Sequence, residues 1–260
     1  MKLYIVIAFH YSPERFRYLD RVLENLDDIE TDESKVVIQT NTSKGGAVKT
    51  YPNLDLEVEI IDKLEDPYML TWCHKQRMLD FLKTDYTHFA YLEDDMVLTQ
   101  GLVNYWTETR DKFKSRGLNF IPGFFRIEHN KDGEWFSTDI TEPIKVDDFH
   151  RLSFDEEMYI SLPNPYQGCF FMDRELVEEH VKSKSFSPET CRHIPNAYND
   201  IRERANMGNM YENMMENFHH RMLVPLNSFN ICWIHHYPNN YVEMPNTLHG
   251  KLKANDVFIR

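Results

Sequence analysis

The chain has 260 residues, 42% of them apolar and 13% aromatic, which suits one large α/β domain with a packed core. Its formal net charge of −13 at pH 7 excludes nucleic acid, whose phosphates demand a basic face, and an anionic membrane surface. Nowhere do about 18 apolar residues run together as a membrane span requires, the start MKLYIVIAFHYSPE has no small-residue cleavage site, and Cys73, Cys169, Cys191 and Cys232 stand far apart, so a soluble, cytoplasmic protein with reduced thiols is expected.

The first half alternates strand and helix signals. Leu3 to Phe9 is a continuous apolar run suited to a buried parallel strand, and Pro13 opens a helix with Phe16, Leu19, Val22, Leu23 and Leu26 at helical spacing. Lys35 to Gln39 supplies a second strand, ending at Thr40-Asn41-Thr42. After a Gly45-Gly46 loop, Leu54 to Ile61 supplies a third. Pro67 begins a helix with Leu70, Cys73, Met78, Leu79 and Leu82 as its buried stripe, and Thr87 to Leu92 is a fourth strand. Such alternation predicts a mostly parallel sheet, whose ligands bind beyond the carboxyl ends of the strands. Four strand ends then converge on one crevice: His10-Tyr11, Thr40-Asn41, Asp62 and the acids that follow Leu92.

The second half is less regular. Leu102 to Lys114 reads as a helix, Asn119 to Ile127 as a strand, and His129 to Asp148 as a polar hairpin or flap with turns at Asp132-Gly133 and Pro143. Pro165 to Met172 reads as a strand entered through Gly168, followed by a helix over Arg174 to Lys182. Asn199 to Phe218 is a helix interrupted near Gly208, and Ser228 to His235 a last strand. No repeat or linker divides the chain, so one domain is the economical count.

The stretch YLEDDMVLT, residues 91–99, carries the chemistry. Acidic triplets are common on solvated loops. Here Glu93, Asp94 and Asp95 interrupt an apolar segment, with Met96-Val97-Leu98 behind them, and such an interruption is costly without a partner. Adjacent negative charges at a strand end call for a cation. A hard divalent ion with oxygen ligands, Mn²⁺ or Mg²⁺, meets that need and can hold a diphosphate.

Strand, carboxylate cluster and late histidine together resemble the GT-A class of nucleotide-sugar-dependent glycosyltransferases, marked by a D-x-D-type motif at the end of a central strand. YLEDDMVL is similar to the EDD variant of that motif. The resemblance implies a single α/β, Rossmann-like domain over residues 1–260, with a mostly parallel central sheet and helices on both faces. Residues 1–100 would bind the nucleotide sugar, and 101–260 would bind the acceptor and carry a C-terminal metal and diphosphate loop. It implies a metal-dependent transfer from a UDP- or GDP-type sugar to a hydroxyl acceptor, in glycan or polysaccharide biosynthesis.

Site roles follow from the same resemblance. Asp95 should ligate Mn²⁺ or Mg²⁺, Glu93 should contact the ribose or a metal-bound water, and Asp94 should touch the donor sugar or diphosphate. In PYMLTWCHKQRM, Thr71, His74 and Arg77 would reach the nucleotide or its phosphates. In CWIHHYPNNYV, His236 would complete the metal shell, with His235 as the alternative on the opposite face. The tail segment Gly250-Lys251-Leu252-Lys253 would set Lys251 against the diphosphate.

Glycosyl transfer also needs a base for the acceptor proton. NDIRERANMGNMYEN offers Asp200, Glu203 and Glu212, of which Glu203 is the expected base, kept ionised by Arg202 and Arg204. Phe125, Arg126, Glu128, Trp135, Tyr166 and Gln167 are candidates for acceptor recognition. Two alternatives remain. Nucleotidyltransferases also place carboxylates at strand ends but typically have a Gly-rich loop after the first strand, where this chain reads AFHYSPERF. The other is a non-catalytic nucleotide-sugar or carbohydrate-binding module.

Overall fold

A computed structural model describes residues 1–46, 48–191 and 200–259. The chain forms two compact units, Met1–Thr99 with Gly168–Asn209, and Gln100–Gln167 with Met210–Arg260.

The first unit is built on β1 (Lys2–Phe9), β2 (Glu33–Thr40), β3 (Asp55–Ile60) and β4 (His88–Glu93). These four run parallel in the order β4-β1-β2-β3, and the strand Cys169–Asp173 joins the outer side of β4 antiparallel. The result is an α/β fold with a mostly parallel central sheet. β1 is buried from Leu3 to Phe9 because its KLYIVIAF run has neighbours on both edges, Ile5 facing Val36 on one side and Ala90 on the other. Each fully buried aliphatic side chain contributes roughly 1.5–3 kcal/mol before chain entropy is counted. Helix α1 (Phe16–Asp27) buries Leu19, Val22, Leu23 and Leu26, the stripe read from the sequence.

The strand order reverses at β1. The chain leaves β1 for β2 and β3 on one side, then crosses back to place β4 on the other. The carboxyl ends of β1 and β4 therefore flank the topological switch point, where sheets of this kind open a crevice.

Several expected elements differ in extent. The helix expected from Pro67 is a 3-10 turn, Pro67–Trp72, capped by the Asp66 side chain, followed by α2 (His74–Phe81). Because the helical phase restarts at His74, α2 buries Met78 and Phe81 while Leu79 is exposed. The strand expected from Pro165 begins at Cys169, after Gly168 turns the chain at φ +64°. The expected long helix to Phe218 is a helix over Ile201–Met207 and a 3-10 turn over Gly208–Tyr211; Asn213 and Asn217 then take left-handed φ values of 48° and 71°, which a continuing helix forbids. Its expected first residue, Asn199, lies outside the described residues.

The second unit begins with helix α3 (Gln100–Ser115). Strands Arg151–Phe154 and Glu157–Ile160 form a hairpin, and Met222–Pro225 pairs antiparallel with the latter and parallel with Ile121–Pro122. Phe113, Phe120, Tyr159 and Leu223 make a core cluster there. Trp233–His236 lies parallel to Phe125–His129, which pairs antiparallel with Trp135–Ser137, so the expected hairpin after His129 is present. The strand expected from Ser228 starts at Trp233, because Phe229–Cys232 forms a 3-10 turn, and it is not the last, since Phe258–Ile259 follows and pairs parallel with Ile144–Lys145.

Candidate functional site

The end of β4 is fixed from two sides. Parallel pairing sets Glu93 opposite Ala8 of β1, and the Glu93 backbone N–H donates to the Gly168 carbonyl at 2.9 Å. Gly168 has to be glycine: its φ is +64°, and a Cβ there would stand 3.3 Å from Glu93 Oε2 and from the Met96 side chain. The chain then turns at Asp94-Asp95, and both carboxylates are buried, their side chains only 5% exposed.

Their partner is Arg15, in the loop between β1 and α1. Its Nε donates to Asp94 Oδ2 at 2.8 Å, and its Nη2 donates to Asp94 Oδ1 at 2.5 Å and to Asp95 Oδ2 at 2.7 Å. The planar fork of a guanidinium matches two carboxylates in this way where an ammonium cannot. Burial, then the charge of Asp95, pushes the Asp94 carboxyl up to about 7 against the pull of Arg15. Burial works against the Arg15 charge, but the two carboxylates outweigh it and hold Arg15 above its usual range.

Neighbouring strand ends supply further polar groups. The Tyr11 N–H donates to Asn41 Oδ1 at 2.8 Å, and Asn41 Nδ2 lies 3.2 Å from His10 Nε2, so three expected site residues just beyond the ends of β1 and β2 are brought together. Asp62 follows β3 and is exposed. On the helix Ile201–Met207, the buried Asn206 points Nδ2 at Glu93 Oε1 from 3.5 Å, the outer limit of a hydrogen bond.

Other expected residues have different employment. His74 is fully buried: its Nδ1 lies 2.7 Å from the Thr71 carbonyl, and its ring packs 4.3 Å from Tyr91 and 5.1 Å from Phe170. Burial holds its pKa well below the usual value, so it is a neutral core residue and presents no surface to a nucleotide. Thr71 is also buried and donates to the Tyr68 carbonyl at 2.8 Å. Arg77 pairs with Glu57 and Glu59 of β3 at 2.6 and 2.9 Å instead of reaching outward.

Glu203 sits third in its helix and accepts from the Asp200 N–H at 3.1 Å, while Asp200 caps the same helix, a reciprocal capping box. Arg202 pairs with Asp200, and Arg204 donates to the Pro188 carbonyl.

In the second unit, His236 and Glu128 form a buried pair, Nδ1 to Oε1 at 2.6 Å, with the Val242 N–H donating to Glu128 Oε2 at 2.9 Å. His235 instead meets Asn239 Oδ1 at 2.9 Å through Nε2. Lys251 donates to the carbonyls of Tyr241 and Val242, closing the end of a short helix rather than standing open. Among the acceptor candidates, Phe125, Arg126, Glu128 and Gln167 are buried; Arg126 pairs with Asp139 at 2.6 Å, and Trp135 is exposed.

Among the described residues no group of three or more His, Cys, Asp or Glu side chains is placed to hold a metal ion. Arg15 holds the two aspartates, and Glu128 holds His236 Nδ1. The sequence reading missed Arg15 and Asn206. The signal for Arg15 was a cationic side chain close after the first strand of a sheet whose neighbouring strand ends in acids.

An α/β protein with a mostly parallel sheet and a buried, arginine-bound aspartate pair beside its switch point is the class that fold and site define. No protein-family model and no curated protein matches the chain. Among solved structures it is similar to S. aureus TarS. TarS 1-349 aligns with TM-score 0.46 and 11% identity over 93% of this chain and 62% of that one. A second TarS structure gives TM-score 0.40 and 12% identity over 81% and 33%, and TarS 1-349 in complex with UDP-GlcNAc gives TM-score 0.32 and 14% identity over 44% and 32%. The chain spans less than two thirds of each of these structures, and likenesses of this size assign no activity to it. Among the described residues no helix is long and apolar enough to cross a membrane.

Proposed function

We propose that the chain is a glycosyltransferase that moves a sugar from a nucleoside-diphosphate sugar to a hydroxyl acceptor, with Mn²⁺ or Mg²⁺ at the aspartate pair. The observation that carries this reading is the placement of Asp94 and Asp95, two buried carboxylates within 2.7 Å of one nitrogen, at the carboxyl end of β4 beside the switch point.

The donor set fits the ion. Mn²⁺ and Mg²⁺ take hard oxygen ligands, and Mg²⁺ is commonly held by one or two carboxylates together with substrate phosphates rather than by an all-protein cage. Asp95 is the proposed direct ligand, with Asp94 beside it and Glu93 toward the ribose or a bound water. When bound, such an ion supplies Lewis-acid relief for the charge that gathers on a departing nucleoside diphosphate.

His10, Tyr11 and Asn41 would hold the nucleoside, since Asn41 already fixes the Tyr11 backbone and faces the His10 ring. Glu203 is the proposed base. It lies three residues before Asn206, hence on the same helical face, and Asn206 reaches toward Glu93. The place after β1 holds Arg15 in a glycine-free loop, which favours this reading over a nucleotidyltransferase.

A thermal-shift panel of UDP- and GDP-sugars, UDP-GlcNAc among them, tests the reading. A ligand that binds only the folded state raises the melting temperature by mass action. At least one donor is expected to do so with Mn²⁺ and not in Asp95→Ala. No shift from any donor would count against the function.

A further inference from the structure

Three formal negative charges at Glu93, Asp94 and Asp95 meet one guanidinium, so the cluster as it stands repels a diphosphate. Arg15 uses Nε and Nη2 on the aspartates, while Nη1 has no acceptor among the described residues and the side chain is 36% exposed. A dication that ligates Asp94 through either oxygen, or Asp95 through Oδ2, needs an oxygen that Arg15 now holds.

We propose that Arg15 is an exchangeable counter-ion. It neutralises the aspartate pair while the donor site is empty, yields those carboxylates to the divalent cation, and then turns its fork to the donor's diphosphate. This rests on the proposed glycosyltransferase reading and adds to it a residue that governs both metal and donor affinity. Electrostatics favours the exchange. Removing one positive charge from the aspartates as two arrive leaves the guanidinium next to the phosphates, where a planar fork binds bidentately. The loop makes the movement short, because Arg15 caps α1 with its backbone while only the side chain has to swing.

Calorimetric titration of Mn²⁺ alone, without nucleotide, tests the first half. Arg15 and the ion compete for the same carboxylates, so apparent affinity in the wild-type chain is reduced by the fraction of sites that Arg15 closes. Arg15→Ala is expected to bind Mn²⁺ at least about tenfold more tightly, and the added substitution Asp95→Asn to abolish that gain. The second half predicts the opposite sign. At saturating Mn²⁺, Arg15→Ala is expected to bind UDP or GDP at least about tenfold more weakly, as the loss of a charge-assisted pair implies.

Should Arg15→Ala fail to fold, Arg15→Lys, which keeps the charge and loses the fork, is expected to show both changes with the same signs and smaller size. Unchanged or weaker Mn²⁺ binding in a folded variant overturns the exchange. If Mn²⁺ binding tightens as expected but no nucleotide binds any variant, the diphosphate half falls together with the glycosyltransferase reading. The two failures are therefore distinguishable.

Discussion

Arg15 and Asp94 are joined by two hydrogen bonds, Nε to Oδ2 at 2.8 Å and Nη2 to Oδ1 at 2.5 Å, across 79 positions of chain. That pair ties the loop after β1 to the turn after β4, the two segments that flank the switch point. Removing one partner of a buried pair leaves the other charge uncompensated, at a cost of about 3–5 kcal/mol. Arg15 is a third exposed, so solvent screening brings the expected cost of Arg15→Ala in urea unfolding to the lower end, roughly 2–3 kcal/mol. Added Mn²⁺ should recover part of it, and a variant as stable as the wild type would show that the pair contributes nothing.

Gly168→Ala tests the close approach at the end of β4. A left-handed residue with a Cβ costs about 1–2 kcal/mol, and here the Cβ also presses on Glu93 Oε2 and Met96 from 3.3 Å. The expected result is a lower melting temperature together with weaker donor binding, since Glu93 has to move. A loss of stability with donor affinity intact would detach Glu93 from the site.

Glu203 has two roles that substitutions separate. Glutamine can still accept from the Asp200 amide, so Glu203→Gln should keep the melting temperature, whereas Glu203→Ala should lose about 0.5–2 kcal/mol of cap. As the proposed base, Glu203→Gln should also slow transfer by about 10²–10⁴-fold. Full transfer activity in a stable Glu203→Gln protein would leave Glu203 with only its capping role.

Lys75 provides a pH dependence away from the aspartates. It is buried with Nζ 2.6 Å from His180 Nε2 and 3.3 Å from the Ala205 carbonyl, and burial lowers its pKa from 10.5 to about 7. Between these values the unfolded chain carries the proton that the folded chain has released. Stability from this group therefore rises with pH from about 7 to 10.5, by up to about 1.4 kcal/mol per unit, and is lost as pH falls toward 7. Lys75→Met should flatten that rise in urea midpoints measured across the range. An unaltered slope would mean that Lys75 titrates normally.

The sheet was largely legible in the sequence because its signals are local. A run such as KLYIVIAF with no polar break can only be buried on both faces, and the stripe Leu19, Val22, Leu23 and Leu26 fixes the face of α1. Side-chain partnerships between distant segments were not legible. Asp94 and Asp95 were recognised as needing a cation, yet nothing near them in sequence names Arg15 as one. The resemblance implies that His74 faces a nucleotide, whereas its position under Tyr91 and Phe170 depends on where α2 packs. Glu203 reads equally as a base or as the last member of an Asp-x-x-Glu cap, and the backbone geometry at Asp200 reveals the cap.

Turnover tests the central proposal most directly. Purified wild-type protein and Asp95→Ala would be incubated with UDP- and GDP-sugars and a panel of hydroxyl acceptors, with and without Mn²⁺, and the freed nucleoside diphosphate measured. Release from at least one donor that depends on Mn²⁺ and disappears in a folded Asp95→Ala protein is the expected result. Release that persists unchanged in Asp95→Ala, or tight donor binding with no release across the whole panel, would contradict a transferase built on the aspartate pair.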